Sequence, residues 1–193
     1  MAVTIGVRDL TFFPLVKDDK TGIKYSEPIK LAPLMKISLN AKLAEASLYG
    51  DDKMTEYVSE LTGFDISFDM NYITPDQEVS LLGYKKGANG IVSPSVNTVA
   101  PYGALAFKSK QTDGTYKHVV LYKVKLVPVN EEFETKGENL QFKTPTVVGK
   151  AIPRVNDDEI RGVALENDPK ASAVIPKWFE YPQTTGAGAT SKP

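Results

Sequence analysis

The sequence predicts a mainly β fold, a β-sandwich or barrel with one short α-helix, a long inter-strand loop and a C-terminal extension. Three observations support this prediction. Apolar and polar residues alternate with a period of two in several stretches, which is typical of half-buried strands. An Asp-Gly pair separates two of these stretches, as in a β-hairpin. Start and stop signals for a helix stand out at one segment, around residues 74–83.

The clearest strands are residues 36–43 and 64–71, in which every second side chain is apolar. Residues 102–108 and 116–126 form the predicted hairpin around Asp113-Gly114. These four strands supply most of the apolar mass of the predicted core.

A further strand begins at Leu140 and continues past Pro145 to Ile152. Proline lacks an N–H and cannot donate a ladder hydrogen bond. The sequence therefore predicts that this strand lies at an edge of the sheet.

The helix is predicted from local signals alone. Thr74 is the N-cap, Pro75 occupies the first helical position, Gln77 completes a capping box and Gly83 follows the last turn. Its apolar residues predict that this short helix closes one end of the sheet.

A polar segment separates two of the predicted strands. Residues 50–56, between strands ending near Tyr49 and beginning near Tyr57, predict a long exposed loop. We expect one β domain over residues 1–152, a C-terminal extension over residues 153–183 that packs on its own chain or on a neighbour, and a disordered tail over residues 184–193.

Composition excludes several classes of site. The 193 residues have a net charge of -1 and include no Cys and one His, so thiolate chemistry and multi-His metal sites are excluded. His118 is interpreted as a half-buried histidine with satisfied hydrogen bonds rather than as a general base. No nucleotide-binding or hydrolase motif is present. We expect no enzyme activity, no cofactor, no metal and no membrane span.

Trp178 and Phe179 have two interpretations. They can anchor the C-terminal segment to its own domain or to a neighbour. Alternatively, with Tyr181, they form a sugar-stacking platform, in which case the protein is a carbohydrate-binding β-sandwich module of a host-recognition device. The anchor is favoured, because an aromatic pair before a flexible tail needs a point of attachment.

Several short segments carry a family resemblance, in order along the chain. They are Ile5 to Leu15, Ala46 to Asp52, Glu78 to Gly83, Ala100 to Phe107, Tyr122-Lys123, Thr135 to Glu138, Thr144 to Thr146, and Gly149. Together they resemble the major tail proteins, or tail tube subunits, of long non-contractile-tailed bacteriophages and prophages of Gram-positive hosts. The tube of a secretion or contractile apparatus shares this architecture and remains an alternative.

The resemblance implies a structural virion protein with a β-sandwich or barrel of the tail tube type. Such subunits assemble into hexameric rings, which stack into the tube through which DNA passes. The implied partners are further copies of the chain, the tape measure protein, the tail terminator and the distal tail protein, with DNA as transient cargo. The implied location is the virion tail, after assembly in the host cytoplasm.

By analogy with tube proteins, the resemblance implies roles for three groups of residues. A ring needs a contact that closes, whereas stacking needs a second contact that does not close. A lumen wall that does not bind DNA should be neutral to negative. The predicted groups are an inter-ring stacking loop of Gly50, Asp51, Asp52, Lys53, Met54 and Thr55; lumen-facing Asp65 and Asp69; and inter-subunit bracing by Phe12, Phe13, Trp178 and Phe179.

Overall fold

The structure, a computed structural model, describes residues 2–128, 135 and 144–184. It is mainly β, which confirms the predicted fold class. The strands of the described part are β1 (Thr4–Asp19), β2 (Gly22–Tyr25), β3 (Ile29–Lys30), β4 (Leu34–Gly50), β5 (Lys53–Met70), β6 (Lys85–Lys86), β7 (Val92–Ser93), β8 (Tyr102–Gln111), β9 (Tyr116–Leu126), β10 (Thr146–Ala151) and β11 (Arg161–Leu165). Helix α1 spans Pro75–Leu82, and a 3₁₀ turn spans Ile175–Lys177.

Nine of these strands form one antiparallel sheet. Its order is β2-β1-β8-β9-β10-β5-β4, with β3 paired to β1 and β11 paired to β9. The short strands β6 and β7 form a separate ribbon. Strands β1 and β4 are far apart in this order and yet lie in contact, so the sheet curls around its core like a barrel.

The core has two parts on opposite faces of the central strand β9. Val119 and Leu121 point into the first core, which contains most of the buried aliphatic residues. Val120 and Tyr122 point into the second, smaller core, which the C-terminal segment covers. Burial of both faces explains why residues 119–122 of β9 form an apolar run rather than a strict alternation.

Helix α1 has the predicted boundaries and caps. The Thr74 hydroxyl accepts a hydrogen bond from the Gln77 N–H at 3.3 Å, and the Gln77 side chain accepts one from the Thr74 N–H at 3.0 Å. Gly83 adopts a left-handed φ of 72° at the end of the helix. Leu81 and Leu82 are buried in the first core, so the helix closes one end of the sheet as predicted.

The predicted long loop over residues 50–56 is wrong. Strand β4 continues to Gly50 and β5 begins at Lys53, so a turn of two residues joins them. Asp51 and Asp52 have φ values of 50° and 58°, the positive values that a tight hairpin turn requires. Both faces of this part of the hairpin are exposed to solvent. The polar residues in this segment therefore reflect solvent exposure of the strands and do not indicate a loop.

The predicted edge position of the strand after Pro145 is also wrong. Strand β10 lies between β9 and β5. Pro145 precedes its first residue, so the missing N–H removes no ladder hydrogen bond from the strand itself. The start of that prediction, residues 140–143, lies outside the described residues.

The C-terminal extension packs on its own chain through residues 153–183. Strand β11 pairs with β9. The guanidinium of Arg154 is buried, lies 3.8 Å from the centre of the Tyr122 ring, and donates to Asp157 and Glu159 at 2.6 to 2.9 Å. Residues 185–193 of the predicted tail and residues 136–138 of the family resemblance lie outside the described residues.

Asp18 fastens the start of this extension to β1. Its carboxylate accepts hydrogen bonds from the Val155 and Asn156 N–H groups and from Lys123. Burial by itself would raise the pKa of Asp18, but these hydrogen bonds and the charge of Lys123 outweigh it and lower the pKa.

Candidate assembly surfaces

The outer part of the β4–β5 hairpin projects from the sheet as a two-stranded ribbon. We call residues 40–62 the arm, because every one of them is exposed. From the Lys42–Gly63 pair to Gly50 the arm is eight residues long, or roughly 26 Å at about 3.3 Å per residue. Among the described residues, no third strand pairs with it.

One face of the arm carries five large apolar side chains beside Glu45, Ser47 and Ser59. Residues paired across antiparallel strands share a face, so the register places Leu43 with Leu61 and Tyr49 with Met54. Tyr57 lies on the same face and donates its hydroxyl to Glu45 at 2.8 Å. These five apolar side chains are 48 to 64% exposed. This grouping of exposed apolar side chains makes the face a candidate interaction surface.

The other face of the arm mixes apolar and acidic side chains. Leu48 lies opposite Glu56, and Ala46 lies opposite Val58. Leu48 is 61% exposed and Val58 is 46% exposed. Neither face of the arm therefore contacts a core of its own chain.

Two β-bulges shape the arm. The register skips Thr55 near the tip and Thr62 near the base. The Thr55 hydroxyl donates to the Leu48 carbonyl at 3.1 Å, and the Thr62 hydroxyl donates to the Lys42 carbonyl at 3.0 Å. Each bulged threonine therefore contributes a side-chain hydrogen bond to the opposite strand.

The six residues predicted for stacking lie together at the tip of the arm. Gly50 ends β4, Asp51 and Asp52 form the turn, and Lys53 begins β5. Met54 and Thr55 follow in β5, and Met54 is 54% exposed. The structure places them at the point farthest along the arm from the sheet.

The two predicted lumen residues lie on the polar face of β5. Asp65 pairs with Lys42 at 3.0 Å, and Asp69 accepts a hydrogen bond from the Thr146 hydroxyl at 2.7 Å. Lysines stand directly opposite them on the adjacent strands: Lys36 beside Asp69 and Lys150 beside Asp65. This face is therefore of mixed charge.

The predicted bracing residues lie inside the chain. Phe12 and Phe13 are 0% exposed and fill the first and second cores, respectively. Their assignment to direct contact between subunits is corrected to packing within the subunit, because neither ring reaches the surface.

Trp178 has the same internal role. Its indole N–H donates to the Val119 carbonyl at 3.4 Å, and its ring is 4% exposed. It anchors the C-terminal segment to the sheet of its own chain, so the contact with a neighbour predicted for Trp178 is corrected as well. Phe179 is half-buried, and its part in bracing stays a prediction.

His118 is more buried than the sequence indicated. Its ring packs against Trp178 and Phe179, with ring centres 5.6 and 6.0 Å away. Within the described part of the chain, neither ring nitrogen has a hydrogen-bond partner, so the predicted satisfied histidine is wrong. Burial lowers the pKa of His118, and the charge of Glu166 opposes this shift.

A second exposed apolar surface follows helix α1. We call residues 83–101 the platform; it contains β6, β7 and the turns around them. Ile91 is 63% exposed, Val96 is fully exposed and Val99 is 70% exposed. Sequence reasoning missed this surface, because glycine and lysine in its first residues indicated a loop and nothing more.

Sequence reasoning also missed the extent of the arm. The apolar residues Leu43, Tyr57 and Leu61 were placed in strands but were not assigned to an exposed face. The signal that was available is the shared parity of Leu43 and Tyr49 before Asp51-Asp52 and of Tyr57 and Leu61 after it. The bulge at Thr55 brings these two sets to one face of the ribbon.

Residues 2–128, 135 and 144–184 hold no group of three or more His, Asp or Glu side chains that can bind a metal ion. No helix among them has the length and apolar character needed to cross a membrane. Neither a scan against protein-family models nor a search of curated proteins finds a match to this chain.

Proposed function

We propose that this chain is a structural protein that polymerises with copies of itself, and that it is the tail tube subunit of a long non-contractile-tailed bacteriophage. In this proposal, hexameric rings of the chain stack into the tube through which DNA passes. The observation that carries the proposal is the arm, a projecting ribbon with exposed apolar side chains on both faces. A two-stranded ribbon is marginally stable by itself, so a partner surface would stabilise it.

The apolar area of one arm is small, which favours an assembly in which several arms bind at the same time. Its five apolar-face side chains are already about half buried, so covering each adds on the order of 1 kcal/mol. The total, on the order of 5 kcal/mol, lies near the low end of the roughly 4 to 15 kcal/mol that association of two molecules costs. A dimer held by a single arm would thus be weak, whereas two rings that contact each other through several arms would form a stable complex.

The shape of the contact favours a filament. An arm that docks on a different surface of the next copy makes a heterologous contact, and such a contact extends without limit unless it closes into a ring. The resemblance to major tail proteins supplies the rest of the proposal: location in the virion tail, DNA as passing cargo, and the tape measure, terminator and distal tail proteins as partners.

Asp65 and Asp69 keep their proposed position at the lumen. Because Lys36, Lys42 and Lys150 lie beside them, we expect a wall close to neutral. Such a wall neither binds nor strongly repels a duplex, which suits rapid passage.

The test is electron microscopy of the concentrated protein, with a variant in which the arm is removed. Lys42 and Gly63 are direct partners across the hairpin, so replacing residues 43–62 with Asn-Gly closes a turn of two residues without disturbing the sheet. We expect tubes or stacked rings from the natural chain and folded, dispersed subunits from the shortened variant, as judged by circular dichroism and size-exclusion chromatography.

A matched pair of triple variants separates the arm from general surface effects. Leu48→Ser/Tyr49→Ser/Met54→Ser should abolish tubes, whereas Val3→Ser/Val16→Ser/Val163→Ser, at equally exposed positions elsewhere, should leave them intact. Tubes from the shortened variant, or a natural chain that stays monomeric at every concentration, would contradict the proposal.

The carbohydrate-binding alternative gains no support from the geometry. Its platform would need exposed aromatic faces, but Trp178 is 4% exposed and Tyr181 is 9% exposed. Both rings pack in the second core.

A further inference from the structure

The arm and the platform lie at opposite ends of the sheet. Strand β5 begins at the arm tip with Lys53 and ends at Met70. Helix α1 follows at once, and the platform leads from the helix to Tyr102, where β8 begins. The sheet register places Leu34, Met70, Leu126 and Tyr102 at this same end. The arm of one chain therefore points away from its own platform.

The platform is held in one shape by its own hydrogen bonds. The Gly87 N–H donates to the Ile91 carbonyl at 2.8 Å, and the Thr98 N–H donates to the Ser95 carbonyl at 2.9 Å. The Thr98 hydroxyl accepts from the Ser95 N–H at 2.9 Å. At its start, a Cβ on Gly83 would lie 2.6 Å from the Val99 carbonyl oxygen, so the two ends of the platform are packed together.

A rigid surface with exposed apolar residues does not lose much conformational entropy when it binds. The three most exposed of its apolar side chains are aliphatic: Ile91, Val96 and Val99. Such a surface fits a partner that presents apolar side chains on an equally regular element.

The charges of the two surfaces are complementary. Residues 43–62 of the arm carry five carboxylates and one lysine, and two of those carboxylates, Asp51 and Asp52, form the tip. Residues 83–101 carry two lysines and no carboxylate. Lys85 is exposed, and Lys86 pairs with Asp76 of helix α1. Complementary charge steers encounter and fixes register between two surfaces.

We propose that the arm tip of one copy docks on the platform of the next copy. Tyr49 and Met54 pack against Ile91 and Val96, and the carboxylates of Asp51 and Asp52 face Lys85 and Lys86. This inference rests on the proposed function, because it names the surface that receives the arm in the polymer. Repetition of the contact joins the two ends of successive copies and builds the tube axis.

The absence of cysteine from the chain makes a crosslinking test clean. Protein with Met54→Cys is mixed in equal amounts with protein carrying Ile91→Cys or Val96→Cys, allowed to polymerise, and treated with a short bismaleimide. We expect covalent dimers from these mixtures. A mixture of Met54→Cys with Val163→Cys, which is exposed on β11, is the control and should give no dimers.

Charge reversal tests the same contact independently. Lys85→Glu/Lys86→Glu should raise the critical concentration for polymerisation by roughly tenfold or more, and adding Asp51→Lys/Asp52→Lys in the same chain should restore it. Lys170→Glu/Lys177→Glu, at exposed positions of the C-terminal segment, should change nothing. Circular dichroism checks that each variant folds.

The outcomes distinguish this inference from the proposed function. Normal tubes without crosslinks to the platform, or double reversal without rescue, would overturn the docking surface and leave polymerisation standing. A natural chain that forms no polymer would overturn both.

Discussion

Gly103 in β8 is a position where one added methyl group reaches the core. A Cβ built on it would lie 2.2 Å from the Phe12 ring and 2.7 Å from the Phe13 carbonyl oxygen. The Phe12 ring is fully buried and the Phe13 carbonyl belongs to the β1 backbone, so relief of the overlap requires a shift of a core side chain or of β1. We expect Gly103→Ala to lower the free energy of unfolding by about 1 to 3 kcal/mol, measured by urea denaturation.

Gly6 is the matched control for this prediction. It also lies in a strand, but a Cβ there would meet no atom within 4 Å. Gly6→Ala should leave stability within about 0.5 kcal/mol of the natural chain. Equal effects of the two substitutions would show that the core accommodates a methyl group at Gly103 without strain.

His118 gives the fold a pH dependence. Its pKa is lowered by burial from an ordinary value of 6.5, so the unfolded chain binds the proton more readily than the folded chain does. Stability should therefore be complete above about pH 6.5 and should decrease as the pH falls below that value. Thermal unfolding at intervals from pH 7.5 to pH 5 measures this effect.

His118→Leu removes the titrating group from the same apolar site. The variant should lose the dependence between pH 7.5 and pH 5 and keep the loss at lower pH to which Asp18 contributes. Asp18 has a pKa below its ordinary value of 3.8, so its contribution is lost as the pH falls through that lower range. An unchanged profile in His118→Leu would remove His118 as the cause.

Among the elements, helix α1 depends on its N-cap. Thr74→Ala removes the acceptor for the Gln77 N–H and should lower the free energy of unfolding by about 1 kcal/mol. Ser80→Ala, in the last turn, is the control, because that hydroxyl only donates to the Asp76 carbonyl of the same helix. Chemical denaturation of the two variants should separate them; equal stability would argue against the cap.

Local signals decided which elements could be predicted. The helix and the Asp113-Gly114 hairpin follow from residues within a few positions of each other, and both are where the sequence placed them. The arm was missed because Asp51-Asp52 is a less distinctive turn than Asn-Gly. The interior position of β10 depends on its pairing with β5 and β9, which no local pattern specifies.

At the scale of the whole molecule, the sequence indicated the tip residues but not the surfaces that surround them. The arm is recognised as a candidate site only from the strand pairing, which places Leu43 opposite Leu61 although the two residues are eighteen positions apart in the sequence. The attachment of the C-terminal segment likewise joins Asp18 to Val155. Contacts between such distant residues depend on the completed sheet, and alternation patterns carry no information about them.

Ionic strength should control assembly if acidic arms meet basic platforms. Raising NaCl from about 0.1 M to about 1 M shortens the Debye length from about 10 Å to about 3 Å. We expect the critical concentration of the natural chain to rise severalfold, as measured by light scattering. Asp51→Asn/Asp52→Asn should respond less; an equal response would place the relevant charges elsewhere.

The bulges at Thr55 and Thr62 also have a consequence for the exposed edges of the arm. The register shifts at both positions, and a β-bulge increases the local right-handed twist of its strand. We therefore expect the arm to be twisted rather than flat. A coiled outer strand is a poor template for a stray polypeptide, because a ladder of main-chain bonds needs a straight edge to grow along. The bulges at the two threonines thereby make unspecific strand pairing at the edges of the arm less favourable. The apolar side chains of the arm remain exposed on its faces.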